Sequence, residues 1–182
     1  MPDVLIHDYD PVWPERFREY AGPLREALGR APSRIDHIGS TSVPGLAAKD
    51  VIDVQASVVD LDAFEPMRQA IEALGYEWMP DNDDRRKRFF RLVAPDGRRL
   101  ANLHVRRRGE FSEQAALLFR DYLRASPRAR SRYEEVKRAL AEGPWPTVDH
   151  YADAKGDCIW SLIREADRWA WDVGWSAGPS DA

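Results

Sequence analysis

The sequence predicts an α+β domain: a small mixed β-sheet with helices on one side, followed by a C-terminal cluster of helices. Three observations predict it. Residues 51–59 (VIDVQASVV) alternate between apolar and more polar positions, the period of two that a half-buried strand requires. Residues 88–93 and 100–106 flank Pro95-Asp96-Gly97, the pattern of a hairpin. Helical periodicities open the chain, recur once after residue 60 and dominate beyond residue 111, so helices and strands do not alternate in a doubly wound rhythm.

The elements follow in order. Trp13, Phe17, Tyr20, Leu24 and Leu28 recur every three or four residues and make an amphipathic helix. Asp10 is its expected N-cap, with Pro11 in the first turn. Pro23 should kink or split it, because proline lacks an N–H and its ring crowds the preceding turn. Residues 34–39 (RIDHIG) read as a strand, followed by the hydroxyl-rich turn Ser40-Thr41-Ser42-Val43-Pro44-Gly45. In the next strand Ile52, Val54, Ala56 and Val58 share one face, so Asp53 and Gln55 project together from the other. Asp60 or Asp62 should cap a helix through Leu61, Phe64, Met67, Ile71 and Leu74, closed by Gly75. In the second arm of the hairpin Ala101, Leu103 and Val105 face one way, and Asn102, His104 and Arg106 the other. Helices are expected over residues 112–125, 127–141 and 151–171, separated by Pro127 and by Gly143-Pro144-Trp145-Pro146. The domain spans residues 1–173, with the sheet within about 1–110 and the helical cluster within about 111–173. Residues 174–182 are expected to form a loose tail.

Composition excludes several classes. A chain of 182 residues reads as one domain and can bury a sizeable core. At 43% hydrophobic and 32% charged residues it is neither disordered nor membrane-like. Its net charge of −4 argues against a nucleic-acid partner. Cys158 is the only cysteine, so neither an internal disulfide nor a cysteine-based zinc site is expected, and it reads as a small buried hydrophobe. Residues 1–10 lack the apolar stretch of a signal peptide, and no apolar run spans a bilayer, so a cytoplasmic protein without membrane contact is expected. Arginine supplies 23 of the 27 basic residues, mostly a matter of base composition, with Arg88, Arg91 and Arg106 as candidates to meet a phosphate. Trp160, Trp169, Trp171 and Trp175 read as core and rim packing.

One constellation can carry chemistry. Gly39-Ser40 ends a strand, and Asp53 follows about a dozen residues later on the polar face of the next. Glycine admits a phosphate close to the backbone, where Ser40 and Thr41 can cradle it. A carboxylate on the neighbouring strand can hold Mg²⁺ against the phosphate oxygens. This resembles the nucleotidyltransferase superfamily, whose pattern ends in Asp-x-Asp. Here the second position is Gln55, a neutral and weaker ligand, and His104 can serve as third ligand or as general base. The metal candidates are therefore Asp53, Gln55 and His104, the catalytic candidates Asp53 and His104, and the expected cofactor is Mg²⁺ or Mn²⁺. Asp50, three residues ahead of Asp53, should point the opposite way.

A longer string carries a closer resemblance. His37-Ile38-Gly39-Ser40-Thr41-Ser42-Val43-Pro44-Gly45-Leu46-Ala47-Ala48-Lys49-Asp50-Val51-Ile52-Asp53-Val54 resembles the signature of the GrpB family. So do Tyr9-Asp10-Pro11-Val12-Trp13-Pro14-Glu15-Arg16-Phe17, Asn102-Leu103-His104-Val105, Phe119-Arg120-Asp121-Tyr122-Leu123-Arg124 and Tyr151-Ala152-Asp153-Ala154-Lys155. The resemblance extends over residues from about 4 to 169, with these segments in order. The resemblance implies a divergent nucleotidyltransferase fold, which in some bacteria is fused to dephospho-CoA kinase. It points to His37, Gly39, Ser40, Thr41, Lys49, Asp53, His104, Tyr151 and Lys155 as site residues. Of these His37, Gly39, Ser40, Thr41, Lys49 and Lys155 are expected on the phosphates, joined by Arg91 from the hairpin. Tyr151 and Lys155 are four apart and should share a helix face.

Three functions compete on this reading. The first is metal-assisted transfer of a nucleotidyl group from an NTP to a small acceptor. The second is non-catalytic binding of a nucleotide, a coenzyme-A-related phosphate ligand or a partner. The third is metal-dependent hydrolysis by Asp53 and His104. Each makes the partner a nucleotide or another phosphate-bearing small molecule.

Overall fold

The computed structural model describes residues 4–182, with backbone alone at 148 and 149. The first helix, α1, runs over Trp13–Leu28, and Pro23 does not divide it. The cost of Pro23 is one missing hydrogen bond, and the burial of Trp13, Phe17, Ala21, Leu24 and Leu28 along one face outweighs it. Asp10 accepts the Val12 N–H at 2.9 Å, so it caps the turn that leads into the helix rather than the helix itself.

Strand β1 covers Pro32–Ile38, a 3₁₀ turn covers Ser40–Ser42, and β2 covers Ile52–Val58. Helix α2 is Phe64–Glu72, with the Asp60 carboxylate receiving the Asp62 and Ala63 N–H groups just before it. Strand β3 (Tyr76–Trp78) has only three residues, too few for a periodic signal, and was not legible in the sequence. Strands β4 (Lys87–Val93) and β5 (Arg99–Arg107) form the expected hairpin, whose turn places Gly97 at φ 83°. The sheet order is β1-β2-β5-β4-β3, with β2 and β5 parallel and the other neighbours antiparallel.

The two faces of this sheet have different fates. Ile52, Val54, Ala56, Val58, Ala101, Leu103 and Val105 are buried against α1 and α2 and form the main core. The polar face is covered in part by α3 (Phe111–Ala125), the first of the C-terminal helices. Helices α4 (Pro127–Ala141), α5 (Val148–Ala154) and α6 (Gly156–Val173) complete the cluster. A second core joins Val43 and Leu46 of the turn region to Leu123, Ala129, Tyr133 and Leu162, with Cys158 packed beside them.

Two expectations at the C-terminal end are corrected. The helix expected over 151–171 is two helices, interrupted at Lys155 immediately before Gly156, a residue that disfavours helix continuation. The tail is not loose at its end. The Ser180 hydroxyl and the Asp181 carboxylate accept the N–H groups of Ile35 and His37, and Ala182 donates to the Ile35 carbonyl. These bonds cover the free edge of β1, which would otherwise present unpaired backbone. Among the described residues no helix is long and apolar enough to cross a membrane.

Candidate functional site

Strand register assembles the site. Asp53, Asn102 and Arg91 lie side by side across β2, β5 and β4. The next row holds Gln55, His104 and Phe89, and the third holds Ser57, Arg106 and Lys87. Helix α3 seals one end of this face: Gln55 Nε2 donates to the Glu113 carbonyl at 3.3 Å, and the Ser57 hydroxyl to the Glu113 carboxylate at 2.8 Å. The other end opens into a cleft of about 870 Å³ lined by Ser40, Thr41, Asp53, Asn102 and His104. That volume suits a small-molecule ligand.

Gly39 brings the turn against Asp53. It has φ 71° and ψ −174°, a region essentially reserved for glycine, and a Cβ there would lie 2.4 Å from Asp53 Oδ2. Asp53 Oδ1 accepts from Asn102 Nδ2 at 2.9 Å and lies 3.4 Å from His104 Nε2. Burial pushes the Asp53 carboxyl up, but His104, Asn102 and Lys49 together outweigh it and hold the group below its ordinary range. Burial also depresses the His104 imidazole to about 4 against the opposing pull of Asp53. The ring is therefore neutral at pH 7 and a weaker base than its type suggests. His104 Nδ1 and Asn102 Oδ1 are buried with no protein partner among the described residues.

Cationic side chains flank Asp53 on two sides. Lys49 and Lys155 place their ammonium groups 5.1 and 4.6 Å from the Tyr151 ring centre. Lys87 and Arg91 stand 4.7 and 5.5 Å from the Phe89 ring centre. Burial lowers Lys87 and Lys155 to about 8.

The family model described as GrpB protein matches residues 3–165. The chain belongs to the GrpB family. A UPF0157 protein of Streptomyces coelicolor is 41% identical over 164 residues, covering 90% of this chain and 84% of that one. A protein of Mycolicibacterium paratuberculosis named dephospho-CoA kinase is 33% identical over 189 residues, covering 91% of this chain but 46% of its own length. The crystal structure of the conserved protein GrpB from Enterococcus faecalis superposes with a TM-score of 0.82 at 32% identity, over 92% of this chain and 99% of that one. Cid1 poly(U) polymerase with MgGTP bound superposes with a TM-score of 0.52 at 15% identity, over 75% of this chain and 44% of that one. The GrpB chain therefore has a nucleotidyltransferase-like fold.

The structure brings together Ser40, Thr41, Lys49, Asp53, Arg91, His104 and Lys155, with Tyr151 beside them. Three expected site residues do not line the cleft: Gly39, whose role is to bring the turn against Asp53, His37 and Gln55. His37 pairs with Val54 across β1 and β2, which puts it on the core face of the sheet. There it stacks on Phe17 at 4.9 Å and shares a 2.9 Å hydrogen bond with the Thr41 hydroxyl, and burial depresses it to about 3. It orders the turn from behind and cannot touch a ligand. Gln55 shares a face with Asp53 but is fully buried under α3, and its Oε1 accepts from Arg106 Nη1. It is not available to a metal, and Arg106 is spent in the same contact. Asp50, as expected, points away and accepts from the Trp13 indole at 2.8 Å.

The donor set left for a metal is small. Asp53 is the carboxylate against the turn; Asp81, Asp83, Asp84 and Asp153 line the cleft as well, but among the described residues no group of three His, Cys, Asp or Glu side chains is placed to hold an ion. A pair of Mg²⁺ or Mn²⁺ ions, which wants several carboxylates, does not fit this donor set. Gln55 is structural here, so Gln55→Leu should cost about 1–3 kcal/mol by denaturant unfolding, because it strips the buried Arg106 guanidinium of an acceptor. An unchanged unfolding midpoint would remove that role.

The sequence missed two site residues. Lys87 lies inside an Arg-rich run with no motif of its own, but its register with Arg106 turns it into the cleft. Lys137 lay on a helix with no motif around it, and it is 2% exposed at the wall of the cleft. Parity along the hairpin strand could have found the first. Nothing local marks the second.

Proposed function

We propose that the cleft binds a nucleotide or another phosphate-bearing small molecule, with its phosphates between the Ser40–Thr41 turn and the lysine side chains. One observation carries this reading. The chain has only four lysines among 27 basic residues, and Lys49, Lys87, Lys137 and Lys155 all line this cleft. A flexible ammonium donates in three directions to phosphate oxygens, which suits a phosphate pocket better than chance placement on a surface. Thermal unfolding tests it with the four NTPs and with inorganic tripolyphosphate. Ligand at 100 times Kd should stabilise by about 2.7 kcal/mol. That corresponds to roughly 5–10 °C for a chain of this size. No shift with any of these ligands would sink the reading.

Nucleotidyl transfer to a small acceptor is the second reading, favoured by the single observation that Asp53 stands directly behind Gly39-Ser40 with an imidazole beside it. Pyrophosphate release in the presence of an acceptor supports transfer. Release of phosphate instead supports hydrolysis by Asp53 and His104, and neither product leaves binding alone.

A further inference from the structure

The deepest corner of the cleft is built around a buried ammonium. Lys137 Nζ donates to the Ala47 carbonyl and sits 4.7 Å from the Tyr133 ring centre. Tyr133 in turn hydrogen-bonds Ser40, so the buried lysine is tied to the Gly-Ser turn through one aromatic ring. The Tyr151 ring carries Lys49 and Lys155, and its hydroxyl donates to the Lys137 carbonyl at 3.4 Å. Among the described residues neither Lys137 nor Lys155 makes a close carboxylate ion pair; Glu134 acts on the first and Asp53 and Asp153 on the second without direct contact, which leaves the burial of these ammonium groups only partly offset. Across the cleft Lys87 and Arg91 flank Phe89. Between these two groups of cations stands Asp53, with the position two residues on taken by the sealed Gln55.

In a two-metal site, divalent cations neutralise the phosphates and carboxylates hold the cations. Here Asp81, Asp83, Asp84 and Asp153 also line the cleft, but among the described residues no three carboxylates or imidazoles come together to hold an ion, and ammonium groups stand on both sides of Asp53. We infer that this cleft takes its phosphate ligand as the metal-free polyanion, with Lys49, Lys137 and Lys155 holding one end and Lys87 and Arg91 the other. The inference rests on the phosphate reading above and adds to it how the ligand charge is neutralised.

Titration calorimetry on the full chain tests the inference, using sodium tripolyphosphate and ATP as separate probes. Each is measured once in EDTA and once in excess Mg²⁺. Binding in EDTA should be at least as tight as in Mg²⁺, because the metal removes charge from the ligand. Lys137→Met and Lys155→Gln should each weaken it by about tenfold or more. A thermal melt confirms that each variant is folded, and Lys155→Gln, at a half-buried position, keeps the test open should Lys137→Met not fold. Binding that disappears in EDTA and returns with Mg²⁺ overturns the inference and leaves the phosphate reading standing. Unchanged affinity in both folded variants overturns it too. No binding in either medium overturns both. Tripolyphosphate and ATP bound equally well would assign the recognition to the phosphates alone, and ATP bound tighter would add the nucleoside; either is the supporting result if it survives EDTA.

Discussion

Lys137→Met is expected to melt higher than the parent chain while losing most of its phosphate affinity. Burial, reinforced by Lys155 and Arg138 and opposed by Glu134, lowers the Lys137 ammonium from 10.5 to about 7. A depression of that size corresponds to roughly 4–5 kcal/mol of disadvantage for the charged form in the folded chain. Methionine fills a similar volume without a charge. The lost bond to the Ala47 carbonyl costs back about 1–3 kcal/mol. A net gain of about 2 kcal/mol follows, a rise of roughly 4–8 °C in Tm. The pH dependence has a definite sign. Between about pH 7 and 10.5 the unfolded chain holds a proton on Lys137 that the folded chain has released, so unfolding takes up a proton and stability rises with pH. Lys87 and Lys155, both near 8, add to the upper part of the same window. Lys137→Met should flatten the lower part and reduce, without abolishing, the slope of the upper. A variant that melts below the parent at every pH would show that the buried ammonium stabilises the fold, the opposite of what its surroundings predict.

Gly39→Ala should be among the most damaging small substitutions in the chain. The backbone at φ 71° and ψ −174° strains any residue with a side chain by about 1–3 kcal/mol. The added methyl would also lie 2.4 Å from Asp53 Oδ2 and 3.0 Å from Asp53 Cβ. That overlap costs a further ~1–3 kcal/mol, or pushes Asp53 out of its contacts with Asn102 and His104. The expected loss is about 3–5 kcal/mol in denaturant unfolding, together with loss of ligand binding. Gly45→Ala is the control. Its φ of 76° is also positive, but a Cβ there meets nothing within 4 Å. It should show the backbone strain alone and leave the cleft intact. Equal losses at the two glycines would mean that the close approach of the turn to Asp53 carries no energy. Asp53→Ala in the Gly39→Ala background should recover the part of the loss that comes from the collision.

These two positions also show how differently the site was written into the chain. Gly39-Ser40 and Asp53 were legible because a phosphate turn and its carboxylate lie close in sequence and on a strand whose alternation is clear. The same alternation put Asn102, His104 and Arg106 on one face. The resemblance put His37 on the phosphates, but adjacent residues of a strand point to opposite faces. One position of parity separates the cleft from the core, and only the pairing of His37 with Val54 decides it. The end of the chain was misread because its bonds run to β1, some 145 residues away in sequence.

The sequence by itself determined the α+β class, the family, the hairpin, most helices and the pairing of the Gly-Ser turn with Asp53. Each of these rests on local periodicity, turn chemistry or short spacing, which a chain carries wherever it folds. The tertiary structure alone decided which polar residues on one strand face meet solvent. Helix α3 lies across Gln55 and Ser57 and stops short of Asp53, so neighbours of equal polarity became a sealed structural amide and an open carboxylate. It alone also gathered four lysines from four separate segments onto one cleft, because long-range packing sets burial and electrostatic surroundings, and no local pattern encodes them.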